Sequence, residues 1–75
     1  MAKYINMNYF SRNLKLLRVE KNIGQEVLAE KIGVSKGIIS MWENGLKEPK
    51  ISSVIKIADF FEISIDELVK YPLYS

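Results

Sequence analysis

Residues 25–45 read QEVLAEKIGVSKGIISMWENG, and this stretch decides the fold. Apolar residues recur at helical spacing on both sides of a short break. In the break, Gly33 can end a helix by adopting positive φ, and Ser35 is a favoured N-cap for the next one. So short a turn makes the two helices cross steeply. We therefore predict helices at about 25–32 and 36–44, with inward faces carrying Leu28, Ala29, Ile32, Ile39 and Trp42.

Three further helical patterns surround this pair. The first runs from about Tyr9 to Lys21, with Asn8 as N-cap and an apolar side of Phe10, Leu14, Leu17 and Val19. After a loop at 46–50, a fourth helix carries Ile51, Val54, Ile55, Ala58 and Phe61. In the fifth, Ser64 and Glu67 form a capping box, and Ile65 and Leu68 point inward. The first eight residues are compatible with a short strand. The predicted fold is all-α with five helices.

Length and composition narrow the function. The 75 residues are enough for one domain, predicted to span 1–75 with a core at 10–69 and terminal segments at 1–8 and 70–75. Cysteine and histidine are absent, which excludes disulfides, thiolate metal sites and an imidazole base. No carboxylate lies in a motif with a nucleophile. We expect no enzyme activity, no catalytic residues, no metal, no cofactor and no small-molecule ligand. No signal peptide or membrane span is seen, so a cytoplasmic protein is expected.

Charge is distributed unevenly along the chain. The net charge is +2, but residues 1–50 have a balance of +4 and residues 51–75 a balance of −2. A basic first part suits a polyanion, with the acidic part facing away from it. This pattern alone is also typical of an ordinary solvated surface.

The central stretch resembles the helix-turn-helix of Cro and lambda-type repressors. The similarity is carried by residues 25–35 and by Ile39-x-x-Trp42-Glu43-Asn44-Gly45, followed by Pro49, Ala58 and residues 63–68. It covers about residues 10–69. The resemblance implies a lambda-repressor-like five-helix bundle and a bacterial or phage transcriptional regulator, a repressor, that binds a specific duplex DNA site. Gly24 and Lys50 depart from the family, which has small polar caps at these positions.

The resemblance also implies which residues contact DNA. Its base-contacting positions correspond to Lys36, Gly37, Ser40 and Met41, and helical periodicity agrees, because Ile39 and Trp42 face inward. Ile38 either borders the groove or packs under the fourth helix, and we include it among the base contacts. Phosphate contacts are expected from helix ends and the adjoining loop, at Gln25, Asn44, Lys47, Lys50 and Ser52. Arg18 and Glu43 match a charged pair of the family, so a partly buried salt bridge is predicted.

The chemistry of the third helix limits how it can read sequence. It has no Arg, Asn or Gln before Asn44. What remains is Lys36 for guanine, the Ser40 hydroxyl, and apolar atoms suited to thymine methyl groups. We therefore expect sites that combine a guanine contact with T-rich steps.

The expected partners are a palindromic DNA operator and a second copy of the chain. A lone domain of this size offers few base contacts, and two-fold pairing doubles them. Surplus apolar residues place the dimer interface at the chain ends, at Tyr4, Ile5, Met7, Tyr9, Val69, Tyr71, Leu73 and Tyr74. The alternative is that these ends fold back over their own core. A different class of function also stays open, in which the same fold serves as an antitoxin or protein-interaction module.

Overall fold

A computed structural model describes residues 5–73, which form five helices and no strand. The helices are α1 (Met7–Glu20), α2 (Gln25–Ile32), α3 (Lys36–Glu43), α4 (Ile51–Phe61) and α5 (Ile65–Val69). The predicted all-α architecture is confirmed. The short N-terminal strand is wrong for residues 7–8, which belong to α1, and residues 1–4 lie outside the described part of the chain. No helix within residues 5–73 has the length and apolar character needed to cross a membrane.

The start of α1 differs from the expected one. The N-cap is Asn6 and not Asn8: the Asn6 side-chain oxygen accepts hydrogen bonds from the Asn8 and Tyr9 amides, at 3.0 and 3.4 Å. The predicted inner face is buried at Phe10, Leu14 and Leu17, but Val19 is 56% exposed. Since Val19 is two residues beyond Leu17, it lies about 200° around the helix and points to solvent.

All five helices contribute side chains to the core. Helix α1 packs against α3 and α5, α2 packs against α3 and α4, and α4 packs against α5. The Phe10 ring contacts the edge of Trp42, with ring centroids 6.1 Å apart. On α4 the predicted apolar series is rotated relative to the true inner face. Ile51 and Ile55 are exposed, whereas Ile57, which the series omitted, is fully buried. The full inner face of α4 is Val54, Ile57 and Ala58. Val54, Ile57 and Ala58 have the i, i+3, i+4 spacing of a helix face, and so do Ile51, Val54 and Ile55. Periodicity alone therefore could not decide which of the two faces is buried.

The two chain ends fold against the bundle itself. The Asn6 amide donates to the Val69 carbonyl at 3.0 Å, and Val69 is buried. Ile5, Met7 and Leu73 pack against the same core. Val69 is thus taken up by the core of its own chain, whereas Ile5, Met7 and Leu73 are only partly buried. The interface at the chain ends stays a prediction. Tyr71 is exposed, and Tyr4 and Tyr74 lie outside the described residues.

Helix α5 is short and depends on caps and on α1. The predicted capping box is present: the Glu67 amide donates to Ser64 Oγ at 3.0 Å, and the Ser64 amide donates to Glu67 Oε1 at 2.9 Å. Leu68 is fully buried, but Ile65 is 38% exposed, so its predicted inward orientation is wrong. Ile65 is the first residue of α5 and lies at the rim of the groove between α4 and α5.

One buried polar side chain joins α1 to the C-terminal turn. Asn13 is fully buried, and its Nδ2 donates to the carbonyls of Glu67, Leu68 and Tyr71 at 3.2, 3.0 and 2.6 Å. Its Oδ1 accepts from the Leu73 amide at 3.0 Å. The last carbonyls of a helix have no donor within the helix. Asn13 supplies the missing donor for those of α5.

Candidate nucleic-acid interface

The turn between α2 and α3 is closed by local hydrogen bonds. Gly33 has φ 84°, a left-handed conformation that glycine adopts without a Cβ clash. The amides of Gly33 and Val34 both donate to the Ala29 carbonyl, at 2.8 and 3.0 Å. Ser35 Oγ then accepts from the Ile38 amide at 3.2 Å and caps α3. These contacts fix the angle at which α3 leaves α2, as the sequence predicts.

Helix α3 has one buried and one exposed face. Ile39 and Trp42 are buried, whereas Lys36, Gly37 and Met41 are exposed. Ser40 is half-buried beside them. The structure thus brings together on one outward face four of the residues that we expect to contact bases. This face carries the Lys36 ammonium, the Ser40 hydroxyl and the Met41 thioether. Gly37 has no side chain, which lets the helix approach base edges closely.

The fifth predicted base contact is placed differently. Ile38 is half-buried and packs against the core, in the same groove wall as Trp42 and Val34. Of the two positions left open for it, the packed one is found. Its side chain supports α3 from the α4 side, and we therefore no longer expect it to be a principal base contact.

Asn44 ends α3 and is engaged with Ser40. Its Nδ2 donates to the Ser40 carbonyl at 2.9 Å and to Ser40 Oγ at 3.4 Å. In this arrangement the side-chain amide hydrogens of Asn44 are engaged within α3, and its Oδ1 can only accept. An oxygen acceptor does not bind a phosphate, so the predicted phosphate contact of Asn44 requires its side chain to turn.

The N-terminus of α2 carries backbone donors that no side chain caps. Gly24 is the N-cap, and it makes no side-chain hydrogen bond. The first N–H groups of a helix have no partner within it and carry the positive end of the helix dipole, which suits a phosphate. The side chain of Gln25 itself points elsewhere: its Nε2 donates to Glu43 Oε1 at 3.1 Å. A phosphate here would be bound mainly by the backbone.

The other side of α3 also offers a place where a phosphate could bind. A groove of about 380 Å³ runs between the α2–α3 turn, the α3–α4 loop and the start of α4. Three of the predicted phosphate contacts line it, namely Lys47, Lys50 and Ser52. Lys56 lines it as well and was missed by the sequence analysis. Its spacing of four residues from Ser52 is the signal that could have found it, since both then lie on one side of α4.

An ion pair holds the ends of α1 and α3 together beneath this surface. Arg18 Nε donates to Glu43 Oε2 at 2.7 Å, and Arg18 Nη2 donates to Oε1 at 3.0 Å. The two side chains are only 13% and 3% exposed. Arg18 Nη1 also donates to the Ile23 carbonyl at 3.0 Å. The predicted salt bridge is present in this structure, with Gln25 as a third member.

The electrostatics of this pair are set mainly by the hydrogen bond. It raises the pKa of Arg18 above its ordinary value; burial opposes the rise, and the charge of Glu43 adds to it. A cation with a raised pKa stabilises the fold at all pH values below its ordinary pKa, and that contribution is lost only as the pH rises through the folded value. The pair is therefore intact across the neutral range, and it holds Gln25 against the end of α3.

The outward surface of α3 and its flanks can bind anions and base edges. Within residues 5–73, no group of His, Cys, Asp or Glu side chains has the arrangement of a metal site. The surface offers lysines, the uncapped N-terminus of α2 and the hydroxyls of Ser40 and Ser52. This is chemistry for non-covalent recognition of a polyanion.

Comparison with known proteins gives the same result. Residues 14–68 match the family described as helix-turn-helix. The chain is 45% identical over 60 residues to the transcriptional activator BcrR of Enterococcus faecalis, covering 80% of this chain and 29% of BcrR. It is 42% identical over 60 residues to the CTXphi transcriptional repressor RstR of Vibrio cholerae, covering 80% of this chain and 54% of RstR. The chain thus spans about half or less of the length of these two relatives.

A solved structure with the same fold is that of the P22 c2 repressor in complex with a synthetic operator. It superposes with a TM-score of 0.78 at 28% identity, covering 81% of this chain and 92% of that one.

Proposed function

The chain belongs to the helix-turn-helix family, and from this membership we propose that it binds a specific site on double-stranded DNA and regulates transcription. The observation that carries the proposal is the outward face of α3. Lys36, Gly37, Ser40 and Met41 are free of the core, on a helix whose angle is fixed by the Gly33 turn. Such a helix enters the major groove with its N-terminal residues nearest the bases.

Phosphate contacts on both sides of α3 would orient the protein on the duplex. The uncapped start of α2 lies on one side, and the groove containing Lys47, Lys50, Ser52 and Lys56 lies on the other. Contacts of this kind fix register and carry little sequence information. We further propose that the protein acts as a homodimer on a palindromic operator, in the cytoplasm where the genome is found. RstR and P22 c2 are named as repressors and BcrR as an activator. Of the two roles we propose repression, which the resemblance to Cro and lambda-type repressors implies.

The test is a titration of fluorescent duplex DNA at two salt concentrations. A protein that neutralises about six to ten phosphates loses roughly 10³–10⁵-fold in affinity between about 50 and 200 mM salt. We expect a steep loss of this kind. Weak binding that does not depend on salt would contradict DNA binding and would favour the antitoxin or protein-interaction alternative.

Two lysine variants separate phosphate contact from base contact. Lys47→Ala is expected to weaken binding to all duplexes alike and to reduce the salt slope by about one. Lys36→Ala is expected to relax preference at one base position by about 1–3 kcal/mol. Lys21→Ala removes the same charge and is the matched control. The Lys21 ammonium lies 5.3 Å from the centre of the Phe60 ring, at the far end of α4 from the groove, so neither effect should follow.

A further inference from the structure

Asn44, which directly follows the last residue of α3, is hydrogen-bonded to Ser40 one turn earlier. Its Nδ2 lies 2.9 Å from the Ser40 carbonyl oxygen and 3.4 Å from Ser40 Oγ. A carbonyl oxygen can only accept a hydrogen bond, so the amide nitrogen of Asn44 and not its Oδ1 has to face it. The backbone of α3 therefore fixes the orientation of the Asn44 amide, and the same nitrogen donates to the Ser40 hydroxyl.

This contact determines what the Ser40 hydroxyl can offer to a ligand. A serine hydroxyl has one hydrogen to donate and lone pairs that accept. Serine in a helix often donates that hydrogen to the carbonyl four residues earlier. Among the hydrogen bonds of residues 5–73, however, the Ser40 side chain makes one with Asn44 and none with Lys36. Because the Asn44 amide nitrogen can only donate, the Ser40 hydrogen points away from it and stays available to a base.

A donor and an acceptor at this position select different bases. In the major groove, guanine and thymine show acceptors without an amino group, whereas adenine and cytosine carry amino groups that donate. A hydroxyl that rotates freely serves either kind and discriminates poorly. A hydroxyl held as a donor matches only the acceptors. The base preference of Ser40 therefore depends on Asn44, although Asn44 itself touches no base.

We propose that Asn44 is a positioning residue that sets the base preference of Ser40, and that it is not a phosphate contact. The inference rests on the proposed function, since it requires α3 to lie in the major groove. With Asn44 in place, Ser40 selects guanine or thymine. An acid at this position reverses the arrangement, because a carboxylate only accepts. The Ser40 hydrogen then turns to the carboxylate, and Oγ is left to accept from the amino group of adenine or cytosine.

The base preference at each half-site position tests this role. A preference is a ratio measured within one protein, so uniform changes in affinity or folding cancel. The wild type first selects a site from random duplexes, and competition titrations then compare the four base pairs at each position. Ser40→Ala identifies the position that Ser40 reads, where the wild type should favour guanine or thymine by about fivefold. Asn44→Ala should reduce this preference to below about twofold, and Asn44→Asp should reverse it towards adenine or cytosine.

Asn8→Asp is the matched control for the added charge. Asn8 is exposed and lines the same pocket as Asn44, so the variant places an acid on the same side of the molecule at a residue that is not bonded to Ser40. It should leave every base preference at the wild-type value. In a Ser40→Ala background, Asn44→Asp should likewise change no preference further. Asn44→Ala that weakens all duplexes alike and leaves every preference unchanged would identify a phosphate contact and overturn the proposal. So would Asn44→Asp that keeps the wild-type preference.

A measurement without DNA tests the contact itself and guards against variants that do not fold. The side-chain amide resonances of Asn44 should shift in Ser40→Ala, whereas those of Asn8 should not. Unchanged Asn44 resonances would overturn the proposal, because they would mean that the two side chains do not interact in solution. A wild type that selects no site from the random duplexes would instead refute the proposed function. The two failures are therefore distinguishable.

Discussion

The Arg18–Glu43 pair is a largely buried ion pair that joins α1 to α3. Glu43 is almost completely buried, and its two oxygens receive three hydrogen bonds, from Arg18 and Gln25. Removing one partner of such a pair leaves the other charge desolvated and unpaired. Glu43→Ala is therefore expected to lower the free energy of unfolding by about 3 kcal/mol, measured by urea denaturation.

Glu30→Ala is the control for this prediction, because Glu30 is an exposed acid on α2. Exposed pairs contribute only about 0–1 kcal/mol, so the control should change stability little. An unchanged denaturation midpoint for Glu43→Ala would mean that the pair behaves as a solvated one.

The contact between Ser40 and Asn44 predicts which base edge Ser40 can read. Ser40 Oγ accepts from Asn44 Nδ2, so its hydroxyl hydrogen is left to donate. A donor matches the acceptors of the major groove, such as purine N7. Replacing a half-site purine with its 7-deaza analogue should cost about 1 kcal/mol of binding at one position in the wild type. The same replacement should cost nothing further in Ser40→Ala. Equal losses in both proteins would exclude a Ser40–N7 contact.

At the scale of the elements, α2, the turn and α3 follow the sequence closely, whereas α4 does not. Gly33 ends α2 in a left-handed conformation, and Ser35 caps the start of α3. Each of these residues acts on backbone groups within four residues of itself. Helix α4 has seven apolar residues, and they lie on more than one side of it. Its inner face is the one that packs against α2 and α5. Ile51 and Ile55 are therefore at the surface, and Ile57 is in the core.

Asn13 shows how one side chain can hold two elements together. Asn13→Leu keeps a similar volume but removes the side-chain partner of the Leu68 and Tyr71 carbonyls and of the Leu73 amide. Leaving buried polar groups unpaired costs about 1–3 kcal/mol each, so we expect a loss of stability in that range or above. Hydrogen exchange should also accelerate at the Leu73 amide.

Asn8→Leu is the corresponding control, since Asn8 is exposed on the same helix. It should leave exchange at Leu73 unchanged. Wild-type protection of Leu73 in Asn13→Leu would mean that packing alone holds the C-terminal turn.

At the scale of the whole molecule, charge and apolar surface are divided between different faces. The basic balance lies in residues 1–50, which contain α2, α3 and the following loop. A largely apolar groove, lined by Ile51, Val54, Ile65 and Val69, lies between that loop and α5. A chain of this size buries only about 60% of the surface exposed when unfolded. Part of the surface that stays exposed is this groove, and it lies beside the loop that follows α3.

The sequence by itself determined the helix-turn-helix, the caps at Ser35 and Ser64, and the outward residues of α3. It could do so because positive-φ glycines, caps and helical spacing are properties of near neighbours. Only the tertiary structure decided the destination of the chain ends, the rotation of α4, the packing of Ile38 and the burial of Asn13. Each of these depends on a partner far along the chain, such as the Asn13 contact with Leu73. The spacing of residues within a helix does not show which distant part of the chain packs against it, and that packing decides which face is buried.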